Sequence, residues 1–198
     1  MPAKVLILKR IAFYLVNKQN KDNKHEANSG NVNADTHSAR KIASSDLQDS
    51  ATTEGKDLCH QLRLQLQQGQ LLVVNPRRKN GLILYKTYHA EFAGPGAIVG
   101  GQFDLDVSYL LAVGNLSLIA PGNSQARKQA YKMRRQWVRL TKQIIDNPQP
   151  TERAQVILNQ FEHWFDIETV ADLPDEAFAL LVGVLPQTIR KVRNIELL

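Results

Sequence analysis

The sequence predicts a mainly α-helical protein with a small β-hairpin, an α+β fold. Apolar residues recur at helical spacing over 124–145 and again over 151–165, and turn-forming residues bound both stretches. Between residues 70 and 92 the chain is instead rich in Leu, Val, Ile and Tyr around a turn sequence, which indicates two paired strands. Hydrophobic residues make up 43% of the 198-residue chain, enough to form a core in part of it.

The N-terminal quarter of the chain is expected to lie outside this core. Residues 1–18 carry two short apolar runs split by Lys9 and Arg10, a pattern that fits a basic amphipathic helix. A core helix or a misassigned start is favoured over an interfacial anchor, so membrane contact through 1–18 is not expected. Residues 19–55 are dominated by Asn, Ser, Asp, Lys and Thr and predict a disordered polar linker, because they offer little apolar area to offset the entropy of ordering.

An α+β body is expected over 56–148. Leucines at helical spacing precede Gly69, which can end the first helix. QLLVVN and GLILYKTYHAEF would then form the hairpin, joined by PRRKN with a basic tip at Arg77, Arg78 and Lys79. The GPG and GG pairs that follow indicate turns and not a phosphate loop, since G-x-G-x-x-G and Walker spacings are absent. Residues 107–113 fit a short buried helix or strand.

The body ends in a long basic helix over 124–145, capped by Asn123 or Ser124 and stopped at Asn147 and Pro148. Its apolar stripe consists of Ala126, Ala130, Met133, Trp137, Leu140 and Ile144. The same helix holds seven cations and no acid, so a nearby polyanion would relieve their mutual repulsion. A solvated face is the alternative. The candidate contacts to a nucleic-acid backbone are Arg127, Lys128, Lys132, Arg134, Arg135, Arg139 and Lys142. The tip cations Arg77, Arg78 and Lys79 are further candidates, which would extend the basic surface if they lie on the same side.

The last segment, 150–198, opens with the helical pattern of 151–165 and continues with DEAFALLVGVLPQTIRKVRN, residues 175–194. In that stretch Gly183 and Pro186 separate two short helical patterns. It resembles the helix-turn-helix of phage-repressor-type DNA-binding proteins. The motif wants a small residue at its fifth position and glycine at its ninth, which are Ala179 and Gly183 here. The apolar residues that would hold the two helices together are Phe178, Val182, Val184, Ile189 and Val192.

This resemblance implies a three-helix unit whose last helix lies in the major groove, and it implies a homodimer. The residues carried over as base-reading candidates are Gln187, Thr188, Arg190, Lys191 and Asn194. Arg193 is carried over as a candidate for phosphate contact. Leu180 and Leu181 depart from the motif, which has polar residues there, so the body or a second subunit must cover them. Residues 151–198 hold eight acidic and four basic residues, so the positive field must come from elsewhere.

The net charge and the cysteine content indicate the kind of partner and exclude some kinds of site. A net charge of +6 and a pI near 9.5 favour a polyanionic partner. Cys59 is the only cysteine, which excludes an intramolecular disulfide and a cysteine-based zinc site and fits a cytoplasmic protein. Asp104 and Asp106 could share a metal ion, but no third ligand is evident, so neither a metal nor another cofactor is expected. No catalytic motif is present, and the sequence does not predict an enzyme.

The sequence therefore predicts a sequence-specific DNA-binding protein, a transcription regulator that acts as a homodimer. The main alternative is a protein-interaction module that binds its partner through Leu180 and Leu181, with the basic helix merely solvated. A protein tethered to a membrane surface by residues 1–18 is less favoured still.

Overall fold

The computed structural model describes residues 51–196. The expected N-terminal helix over 1–18 and the expected linker as far as residue 50 lie outside the described residues. The first described helix, α1, spans Ala51–Gln67 and so begins five residues before Lys56, where the body was expected to start. It ends as expected at Gly69, whose φ of 86° is left-handed.

The described chain consists of one helix, then six strands, then five further helices. After α1 come six strands: β1 (Leu71–Val74), β2 (Asn80–Tyr85), β3 (Ala90–Ala93), β4 (Ile98–Gly100), β5 (Tyr109–Gly114) and β6 (Leu118–Ile119), with a 3-10 helix at Gly101–Asp104. Five further helices follow: α2 (Ser124–Ile145), α3 (Pro150–Trp164), α4 (Ile167–Ala171), α5 (Asp175–Val182) and α6 (Pro186–Glu196). The segment left open between helix and strand, 107–113, is therefore largely β5.

The prediction of a mainly α-helical protein with one hairpin is wrong. The strands form two three-stranded antiparallel sheets, in the orders β4-β1-β6 and β3-β2-β5. The two strands expected to pair, β1 and β2, belong to different sheets. Leu72 of β1 lies opposite Val99 of β4, whereas Leu82 of β2 lies between Ala93 of β3 and Ala112 of β5. The protein is a mixed α+β fold.

A buried asparagine explains why β1 and β2 do not close a hairpin. Asn80 is fully buried, and its side-chain amide donates to the carbonyls of Asn75 and Arg78, each at 3.0 Å. Its Oδ1 accepts from the backbone N–H of Ser117 at 3.2 Å. These bonds hold the connection as a corner, from which the chain passes into the second sheet. The bonded Ser117 lies 37 residues further along the chain, so the local composition gave no sign of it.

The helix α2 has the predicted bounds, and its apolar side packs on both sheets. Asn123 caps its start, with Oδ1 accepting from the N–H of Ala126 at 2.8 Å. Trp137 packs edge-on against Phe92, with ring centroids 5.3 Å apart, and a Cβ at Gly94 would overlap its indole. The GPG sequence thus serves a close approach of helix and sheet as well as a turn.

The C-terminal helices pack around Phe161, whose ring also contacts Phe92 of β3. Phe161 of α3 and Phe178 of α5 pack edge-on at 5.0 Å, and Ile189 of α6 is fully buried beside them. The short helix α4, which the sequence did not predict, intervenes between α3 and α5. Among the described helices, none has the length and apolar character needed to cross a bilayer.

Candidate nucleic-acid interface

The helices α5 and α6 meet at a tight turn made by glycine. Gly183 has φ 63° and ψ 49°, the left-handed conformation that the motif requires, and its N–H donates to the carbonyl of Ala179. Ala179 itself is buried where the helices approach. Of the five apolar motif positions, Val184 is only partly buried. The other four, Phe178, Val182, Ile189 and Val192, are almost completely buried.

The outer side of α6 is polar and accessible. Four of the five base-reading candidates are exposed and Thr188 is partly buried; the exposed four are Gln187, Arg190, Lys191 and Asn194. Arg190 also donates from Nε to Asp175 at the start of α5, at 3.2 Å. The helix α6 therefore has an accessible polar face opposite a buried apolar one.

Arg193 does not belong to that outer face, which corrects its assignment as a phosphate contact. Its Nη2 donates to the carbonyls of Leu173 and Val170 at 2.9 and 3.2 Å, and its Nη1 donates to Ala171 at 3.3 Å. Its guanidinium also lies 5.1 Å from the ring centre of Phe178. Arg193 thus binds the carbonyls that end α4, and its role is to hold the C-terminal helices together.

The exposed side of α2 carries an ordered row of cations. Five of them follow 4-3-4-3 spacing, which puts them on one face of the helix along about 21 Å. We call this row the basic stripe; it consists of Lys128, Lys132, Arg135, Arg139 and Lys142. Arg127 is exposed near its start, and within the described residues none of the six forms an ion pair. The row is therefore an accessible, uncompensated positive surface.

Arg134 is the exception among the seven cations, which corrects its assignment as a backbone contact. It is only 8% exposed, and its Nη2 lies 2.6 Å from Glu91 Oε2 and 3.2 Å from Asp104 Oδ1. Lys86 completes an ion-pair cluster, with Nζ 3.8 Å from Asp104 and 2.9 Å from Asp106. The cluster ties α2 to β3 and to the 3-10 helix, so Arg134 is structural.

The pKa values of two carboxylates in this cluster, Asp104 and Glu91, are shifted in opposite directions. Burial raises the pKa of Asp104, although the charge of Arg134 acts against it. Burial would also raise the pKa of Glu91, but the charge and hydrogen bond of Arg134 outweigh it and bring that pKa below its ordinary value. Asp104 ends a 3-10 helix and does not share a strand face with Asp106. Within the described part of the chain, no three His, Cys, Asp or Glu residues are grouped to hold a metal ion.

The basic corner between β1 and β2 is exposed and has a described neighbour at the start of α4. Its three cations, Arg77, Arg78 and Lys79, are all exposed. The pKa of Asp166 is lowered chiefly by hydrogen bonds from Thr169 and further by the charge of Lys79, so the corner lies near the start of α4. No described contact links these residues to α2.

A groove of about 400 Å³ runs between α2, β3 and the turn that joins α5 to α6. Val138, Ile145 and Leu180 line it and stay between 37% and 45% exposed, whereas Leu181 is buried by the body of the protein. Val138 and Ile145 were not predicted as site residues from the sequence. The two residues are seven positions apart, so they share a face of the helix beside the main apolar stripe, and this spacing could have indicated them. Lys142, the last cation of the stripe, lines the same groove as the turn; the turn residues there are Gly183 and Val184.

Comparisons of this chain with protein-family models, with curated proteins and with solved structures find no match.

Proposed function

We propose that this protein binds DNA sequence-specifically as a transcription regulator, with α6 reading bases and the basic stripe of α2 contacting phosphates. The observation that carries the proposal is the proximity of the two surfaces: Lys142 of the stripe and Gly183 of the turn before α6 line one groove. In the proposed complex, α6 lies in the major groove and the end of the stripe contacts the neighbouring backbone. The two kinds of contact, positioning and reading, could then act on one site.

The charge distribution supports these separate roles for α6 and the basic stripe. The segment 151–198 has more acidic than basic residues, and Arg193 is used within the protein, so α6 alone offers little attraction to DNA. The stripe supplies the missing field. Five phosphate contacts predict that log K falls with log salt concentration with a slope of about −4.5.

Two further features belong to the proposal. Proteins with this motif bind paired half-sites about 34 Å apart, so a homodimer is part of it, to be checked by analytical ultracentrifugation with and without DNA. The second feature is a cytoplasmic location, in the compartment that holds the target DNA. No cofactor is invoked, because the contacts described are all made by side chains.

The test is selection of binding sites by the full-length protein from random duplex DNA, followed by affinity measurements by fluorescence anisotropy at several salt concentrations. R190A is expected to lose sequence preference, whereas R135A/R139A is expected to lose affinity for every sequence. R77A/R78A is the matched control, since it removes the same charge at the corner. Equal losses in both double variants would show that net charge and not the stripe matters. Failure of the wild type to bind DNA at low salt would overturn the proposal.

One observation favours a second candidate, a module that binds another protein. Val138 and Leu180 expose apolar surface in a concave groove, which is common at protein interaction sites. Leu181 takes no part in this version because it is buried. If the wild type binds no DNA, V138D/L180D should abolish binding of a partner isolated with the wild-type protein, while melting at the wild-type temperature.

A further inference from the structure

The first residue of α5 holds two arginines of α6 at once. Asp175 accepts from Arg190 Nε at Oδ2, at 3.2 Å, and its Oδ1 lies 3.3 Å from Arg193 Nε. The side chain of Asp175 is only 14% exposed, while that of Arg190 is 65% exposed. The carboxylate thus lies at the boundary between the interior of the C-terminal unit and its outer face.

The inner arginine makes this carboxylate a fixed point. Arg193 is bound to three backbone carbonyls at the end of α4 and lies over the ring of Phe178. With Arg193 held in this way, Asp175 has one partner that does not move, and its second oxygen is left for Arg190. Charge-assisted contacts therefore connect the core, through Arg193 and Asp175, to Nε of Arg190.

We propose that Asp175 is a positioning residue that orients Arg190 for recognition of a guanine base. The inference rests on the proposed DNA-binding function and names a specificity determinant within it. Asp175 engages Arg190 through Nε, and among the described residues the two terminal amino groups have no acceptor. Guanine offers two acceptors, O6 and N7, to such a pair of donors in the major groove. Fixing the guanidinium beforehand reduces the conformational entropy lost on binding.

A purely electrostatic role for Asp175 predicts a different effect of its neutralisation. A carboxylate near DNA repels phosphates, so its neutralisation should raise affinity for every sequence alike. A positioning role predicts that neutralisation lowers the preference for guanine, while affinity for random DNA stays level or rises. The electrostatic role therefore leaves the ratio of affinities for guanine and adenine sites unchanged, whereas the positioning role lowers it.

The experiment compares full-length wild type, D175N, D175E, R190A and E176Q on the selected site. For each protein, the affinity ratio is measured between that site and versions in which each guanine is replaced in turn by adenine, together with affinity for random DNA and the melting temperature. The wild type should prefer one guanine by roughly tenfold or more. R190A should abolish that preference, D175N should reduce it several-fold, and D175E should retain more of it than D175N. E176Q, which neutralises the exposed carboxylate next to Asp175 in the first turn of α5, should keep it.

The proposal is overturned if D175N keeps the wild-type ratio at the guanine that R190A affects. It is also overturned if D175N lowers the affinity for random DNA by the same factor as for the selected site, which would mean that Asp175 only supports the fold. A wild type that selects a site in which no guanine depends on Arg190 overturns it too, while leaving the proposed function intact. A wild type that binds no DNA overturns both.

Discussion

The guanidinium of Arg134 lies 3.2 Å from the carboxylate of Asp104, in a part of the protein that is closed to solvent. The next residue in the chain, Arg135, is exposed and has no ion pair within the described residues. Two neighbouring arginines on one helix thus have different roles. One holds α2 against β3 and the 3-10 helix, and the other belongs to the basic stripe.

This contrast predicts different stabilities for two substitutions of the same kind. R134M should destabilise the protein by about 3 kcal/mol or more, since removing one partner leaves the carboxylates of Asp104 and Glu91 without their main counter-charge. R135M should change stability by no more than about 0.5 kcal/mol, as is usual for an exposed position. Urea denaturation followed by circular dichroism measures both. Equal stabilities would contradict the structural role given to Arg134.

The pairing of Glu91 with Arg134 should appear in the pH dependence of stability. Although burial alone would raise it, the folded-state pKa of Glu91 is lowered overall by Arg134. Its ionised form therefore stabilises the fold above its ordinary pKa, and that stabilisation is lost as pH falls through the folded pKa. At pH 7 we expect E91Q to melt below the wild type, and the gap should shrink towards pH 3. A gap that is constant with pH would argue against the pairing.

The left-handed turn at Gly183 gives a prediction about stability that needs no assumption about function. An alanine there would find open space but would have to adopt φ near +63°. G183A is therefore expected to lower the free energy of unfolding by roughly 1–2 kcal/mol. Gly122 is the matched control, because it also has no neighbour within 4 Å but lacks a positive φ. Denaturant titration of G183A and G122A should separate them, and similar losses in both would refute the account.

The stripe predicts a change in salt dependence as well as in affinity. Each phosphate contact contributes about −0.9 to the slope of log K against log salt concentration. If Arg135 and Arg139 each contact a phosphate, R135A/R139A should make the slope less steep by about 1.8. The corner variant R77A/R78A should keep the wild-type slope. Titrations with random duplex DNA at four or more salt concentrations measure both slopes, and an unchanged slope in R135A/R139A would exclude the stripe as a phosphate contact.

Helix bounds and helix faces were predictable because they depend on residues close together in the chain. The apolar period of 124–145 repeats every three or four residues, and the capping side chain of Asn123 acts three residues ahead. The turn at Gly183 was likewise readable from the residues on either side of it. In each case the residues in contact are separated by no more than about two helical turns of sequence.

Only the tertiary structure decided how the strands pair and which cations remain free. Asn80 directs the chain into the second sheet through a bond to a residue 37 positions away, and Arg134 is neutralised by carboxylates 30 and 43 positions away. Composition cannot distinguish Arg134 from Arg135, because burial and partners are properties of the packed fold. The sequence by itself thus determined the long basic helix and the glycine turn between the last two helices. The fold determined which of their charges can face a ligand, since a charge is available only where packing leaves it in water and without a partner.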